Sequence, residues 1–143
     1  MKTVFNQDPK EIHFLNVDVD VWSKFPLDQL IAALGNKVFV HYVGLEDKRY
    51  GAHFSLAGSF QKDADTLTSQ LATLISKLPR AARKLWNSAQ VRQFNIGIQG
   101  GVKPLSHETC IKQQTLEAVV RVRGSVVVTT YAAQVKSYKR LNK

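Results

Sequence analysis

The sequence predicts an α+β fold: a ferredoxin-like β-α-β-β-α-β core extended by a further β-α-β, with helices on one face of a mostly antiparallel sheet. Three features carry that prediction. Polar and apolar residues alternate over residues 16–21, 50–57 and 94–99, which is the period of half-buried strands. Leu67, Leu71, Leu74, Ile75, Leu78, Ala82, Leu85 and Trp86 recur at helical spacing and make one apolar stripe. A short charged linker, Leu45-Glu46-Asp47, joins two strand-like runs as a hairpin would.

The elements follow in order. Residues 1–10 have no periodicity and read as a flexible arm, residues 11–133 as a single domain, and residues 134–143 as a basic tail. The first strand covers residues 11–22. Its even positions begin apolar (Ile12, Phe14) and turn polar from Asn16, which calls for a bulge or an edge-to-interior transition. Pro26 opens a short amphipathic helix through Leu27, Leu30, Ile31 and Leu34, and Gly35-Asn36 stops it. Strand-like runs at 37–44 and 48–58 come next. Asp63 or Asp65 caps the long helical stripe, and Pro79 imposes a kink or splits it into two abutting helices. A strand within 91–101 is closed by Gly100, Gly101 and Pro104. Residues 106–112 read as a fifth strand and 114–122 as a helix. Residues 126–132, β-branched on both faces, read as a buried central strand.

Composition narrows the class. In 143 residues, 44% are hydrophobic and 22% charged, ordinary for one globular domain. No apolar run is long enough for a membrane span, so no membrane insertion is expected. Cys110 is the single cysteine, which excludes an intramolecular disulfide. With no apolar leader in the first residues, a cytoplasmic location is expected. The formal net charge of +9 is unevenly spread: 7 Lys/Arg against 9 Asp/Glu through residue 76, then 13 against 2 from Lys77 onward. That asymmetry points to an anionic partner as one option.

The strand parities define a candidate surface. With the first and fourth strands as neighbours, Asn16, Asp18 and Asp20 share a face with Asn95, Gly97 and Gln99, and with His53 and Ser55 of the third strand. The opposing valines and the strand aromatics then face the helices. A hairpin centred near Asp47 pairs His41 with His53, their Cβ atoms about 4.5–5.5 Å apart. Trp22 keeps the polar parity and is a candidate anchor for a partner. Asn16, Asp18, Asp20, Trp22, His41, His53, Asn95 and Gln99 are therefore the binding-face candidates.

The same residues bear on other chemistries. Asp18, Asp20, His41 and His53 are the right ligand types for a metal, and Asp-x-Asp fits metal-dependent phosphoester chemistry. No His-Glu-x-x-His or phosphate-binding glycine loop accompanies them, so no metal or other cofactor is expected. His107 and Cys110 are three apart on an expected strand and point to opposite faces, which makes Cys110 structural. Lys77, Arg80, Arg83 and Lys84 form a ridge on the second long helix, beside its apolar stripe, and are the anion-binding candidates. The glycine-rich strand motif of RNA-binding sheets is absent.

Residues 16–20, 37–40, 78–80 and 94–99 together resemble a group of small bacterial proteins, and the element order resembles a broader bacterial family of unknown function whose members occur near toxin and immunity genes. The resemblance covers about residues 11–133. It implies no catalytic residues that could be carried over. The chain departs from it in its basic tail and high net charge, since an inhibitor of a basic toxin is normally acidic. The expectation is a binding protein in an immunity or regulatory role through protein–protein contact. A nucleic-acid-binding accessory protein is the first alternative and a metal-dependent phosphoester enzyme the second. Oligomeric state is left open.

Overall fold

A computed structural model describes residues 10–133. It is an α+β protein with a five-stranded mixed sheet and four α-helices among those residues. The chain runs through β1 (His13–Ser23), α1 (Asp28–Leu34), a 3-10 turn (Gly35–Lys37), β2 (Val38–Glu46) and β3 (Arg49–Leu56). It continues through α2 (Ala64–Ser76), α3 (Arg80–Ser88), β4 (Val91–Gln99), α4 (Gln113–Arg121) and β5 (Ser125–Tyr131). The strand order is β2-β3-β1-β4-β5. Neighbouring strands are antiparallel except β4 and β5, which run parallel. The expected arm, apart from Lys10, and the expected tail lie outside the described residues. No helix among the described residues is long and apolar enough to cross a membrane.

One face of the sheet carries the core. Val17, Val19 and Val21 of the central strand are fully buried, as are Phe54, Phe94, Leu71, Ile75 and Trp86. Each such side chain contributes about 1.5–3 kcal/mol by leaving water. Trp86 stacks edge-on against Phe94 and donates its indole N–H to the Val122 carbonyl at 2.7 Å, so α3 is locked to the end of α4. The Asp63 carboxylate caps α2 by accepting from the Thr66 N–H at 2.8 Å. Pro79 begins α3 from an extended conformation, and the long stripe is two helices rather than one.

Two bulges set the sheet's faces. In β1, Phe14 pairs with Ile98 and Asn16 with Gly97, so Leu15 is the extra residue. That insertion turns the even positions from the helix side to the open side, as the break between Phe14 and Asn16 required. In β2, Val40 pairs with Phe54 and Tyr42 with His53, so His41 is the extra residue.

Three sequence expectations need correction. Residues 106–112 form no strand; they belong to the loop between β4 and α4, which is tied to the N-terminal segment ahead of them by a Glu11–Lys103 bridge. The addition to the core is therefore α4-β5 alone. The last strand is not central either. β5 is an edge, with Val126 and Val128 37% and 62% exposed. A strand apolar on both sides is the pattern of a buried strand, but an edge beside an uncovered apolar floor has the same composition. His41 is not opposite His53, because the bulge inserts one residue into the register.

Candidate functional site: the open face of the sheet

Strand alternation leaves the face away from the helices polar. Asp18 pairs with Ser55 on one side and Asn95 on the other, and Asp20 with His53 and Gln93. On the outer strands, Phe39 pairs with Ser55 and Val127 with Asn95. Two rows therefore cross the sheet: Phe39–Ser55–Asp18–Asn95–Val127 and Tyr42–His53–Asp20–Gln93–Ser125.

A chain of side-chain hydrogen bonds links all five strands across this face. Glu46 of β2 meets His53 Nε2 of β3 at 3.0 Å, and His53 Nδ1 meets Asp20 of β1 at 2.8 Å. The Asn95 amide of β4 donates to Asp20 at 3.4 Å and accepts from the Thr129 hydroxyl of β5 at 2.8 Å. Trp22 adds its indole N–H to Glu46 at 2.8 Å, with its ring edge-on to His53 and the Arg49 guanidinium 4.7 Å above it. Gly51 makes room for this arrangement, because a Cβ there would run into the Glu46 carboxylate.

The electrostatics follow from the geometry. Both His53 nitrogens face carboxylates, so the imidazolium can donate to both. Burial disfavours its charge, but the hydrogen bonds to Glu46 and Asp20 outweigh burial and raise its pKa. The bond from His53 lowers the Glu46 pKa, with Trp22 assisting. Asp18 is raised, chiefly by burial, while the nearby His41 pulls it down. Asp18 stands beside the chain of bonds: its ion pair is with His41 Nε2 at 3.6 Å, and that ring also contacts the Ser55 hydroxyl at 3.1 Å.

Aromatic side chains border this centre. Phe39 is 62% exposed and meets the His41 ring edge-on, Tyr42 leans over Gly44 and donates to the Leu45 carbonyl, and Tyr131 lies against Gly97. The sequence pattern places the strand aromatics toward the helices. That holds for Phe54 and Phe94 but not for Tyr42 and Tyr131; Trp22 keeps the open-face parity expected of it, and Phe39 shares the face expected for His41. The β2 bulge brings both His41 and Tyr42 to the open side, which simple parity forbids.

The predicted residues separate by role. Asp20, His53 and Asn95 form the hydrogen-bonded chain, and Trp22 is fixed to it rather than free. Asn16 accepts from the next backbone N–H, Val17, at 2.9 Å, and Gln99 donates to the Ala132 carbonyl at 3.1 Å, joining the ends of β4 and β5. The four metal candidates do not converge. They split into Asp18–His41 and Asp20–His53, and His53 has both nitrogens engaged. Among the described residues, no group of three or more His, Cys, Asp or Glu side chains is arranged to hold a metal ion. Glu46 and Thr129 are members of the chain that the sequence pattern does not mark. Glu46 has the look of a turn residue, and Thr129 of a residue in a buried strand.

The anion-binding candidates lie on the helix layer. Lys77 ends α2 and Arg80 begins α3, so Lys77, Arg80, Arg83 and Lys84 are not one continuous helical ridge. Lys77, Arg80 and Lys84 are exposed, whereas Arg83 donates to the Ser76 carbonyl at 3.0 Å. Arg92 is structural: it donates to carbonyls at the end of α3 and to that of Arg123. Cys110 is exposed and shares a hollow of about 270 Å³ with His107, Asp63 and Asp65. The two aspartates there are engaged by the Thr66 and Lys112 backbone N–H groups.

Among the described residues, the fold and face define an α+β protein with a hydrogen-bonded sheet surface that no helix covers. Comparison with protein-family models, characterised proteins and solved structures gives no match to this chain.

Proposed function

We propose that the chain is a binding protein that performs no chemical step and recognises a protein partner with the open sheet face, in an immunity or regulatory role. The observation that supports this is the five-strand chain Glu46–His53–Asp20–Asn95–Thr129 bordered by exposed aromatics. A fixed polar centre with aromatic side chains around it costs little ordering entropy on docking, and aromatic anchors dominate binding energy at such surfaces. We read β1–β4 with α1 and the α2–α3 pair as the ferredoxin-like arrangement, with α4 and β5 appended; among the described residues that layout leaves one face without helices.

The face carries Asp18, Asp20 and Glu46, with His53 between two of these carboxylates and Arg49 at one end, so it lacks the basic excess of the whole chain; the exposed Lys77, Arg80 and Lys84 belong to the helix layer. A net charge of +9 therefore does not describe this surface, and the objection from net charge to an acidic-type inhibitor loses force. The test is capture of the partner by the full chain and two double variants. Phe39→Ala with Tyr42→Ala should abolish capture, and Lys77→Ala with Arg80→Ala should leave it intact. The reverse pattern contradicts the proposal.

A second reading has its own support in Lys77, Arg80 and Lys84, which could neutralise phosphates of a nucleic acid. Binding through them must weaken steeply with salt, by roughly one power of the salt concentration per contact. A salt-independent oligonucleotide signal removes this reading.

A further inference from the structure

The two edges of the sheet differ in kind. β2 is interrupted by the bulge at His41 and ends in a charged residue, Glu46, devices that spoil the addition of another strand. β5 has neither. Its residues, Ser-Val-Val-Val-Thr-Thr-Tyr, contain no charge and no proline, and they pair with β4 without a register shift. The helix layer also stops short of β5. Val126, Val128 and Thr130 face the helix side, yet among the described residues they line an open groove of about 590 Å³ walled by Leu105 and Ile111 above the buried Ile96 and Ile98. Among the described residues, an unpaired backbone edge and an open apolar-walled groove thus lie side by side.

We propose that this edge is a homodimer interface, in which a second copy pairs its own β5 antiparallel across a two-fold axis. Self-complementarity selects the occupant. Pairing centred on Val128 sets Val128 against Val128, Val127 against Thr129 and Val126 against Thr130, all β-branched and uncharged, with like faces together. Val126 and Val128 of each copy then cover part of the other's groove.

The area is sufficient for a weak dimer. Strand and groove together present about fifteen residues, against roughly 20–30 residues and about 800 Å² a side in a standard interface, so at most about 500 Å² a side is buried. That total, about 1,000 Å², sits at the lower bound for a specific contact. The joined sheet has ten strands and leaves the open face of both copies free, so this inference stands independently of the proposed function.

Sedimentation of the full chain over a concentration series tests it. The mean mass of wild type should rise from 16.0 kDa toward twice that value. Val128→Lys places a charge on the edge at a position already 62% exposed, so it should fold, checked by its melting temperature, and remain monomeric throughout. Thr130→Lys, on the same side of the strand, provides a second variant if the first fails to fold. A wild type that stays monomeric, as it would if its own residues 134–143 occupied the edge, overturns the proposal. Undiminished dimerisation of the folded lysine variants overturns it too.

Discussion

His53 is the residue on which the open face turns. Its folded pKa lies above the ordinary 6.5, because the bonds to Glu46 and Asp20 outweigh burial. A group with a raised folded pKa contributes its full stabilisation below the unfolded value and loses it as pH rises through the folded value. Wild type should therefore lose stability as pH climbs above 6.5, and His53→Gln should remove that part of the slope. Urea midpoints measured on both sides of that pH check this; an unchanged slope in the variant would contradict it. On the other face, Trp86 combines full burial with a bond to the Val122 carbonyl. Trp86→Phe leaves that carbonyl without its indole donor and opens a small void, at a cost of about 2 kcal/mol in urea unfolding. A cost within error of zero would mean that a neighbour replaces the indole donor.

Elements are held by a few local devices, and the Asp63 cap is the simplest. Asp63→Ala removes the acceptor for the Thr66 N–H and should destabilise the protein by about 1 kcal/mol. The same bond lowers the Asp63 pKa, so its contribution is present above the unfolded value of 3.8 and fades as pH falls below that. A cap loss equal at neutral and strongly acid pH would contradict this assignment. The element level also shows what the sequence could carry. Helices α1, α2 and α3 are legible from apolar spacing, Pro26, Gly35 and Pro79, because these act on their own neighbours. The apolar-to-polar switch between Phe14 and Asn16 exposes the β1 bulge. The β2 bulge leaves no such mark, since His41 and Tyr42 are both tolerable on either side of a strand. One inserted residue there is enough to misplace His41 and to hide Tyr42.

At the scale of the molecule, Asp18, Asp20, Glu46, His41, His53 and exposed aromatics gather on the open sheet face with Arg49 beside them, and the exposed Lys77, Arg80 and Lys84 lie on the helix layer. Parity alone places Asp18, Asp20, His53 and Asn95 together, because strand alternation is a local rule. Glu46 and Thr129 depend on register across four strand pairings, which no local pattern encodes, and the edge position of β5 depends on the complete strand order. The central claim is that partner recognition occurs on the open face. The most direct measurement places a photo-crosslinking amino acid at position 39, or at position 80 on the helix layer, in the full chain inside its native cell. A discrete protein adduct from position 39 and none from position 80 is the expected result. Adducts formed only from position 80, whether to protein or to nucleic acid, would contradict it.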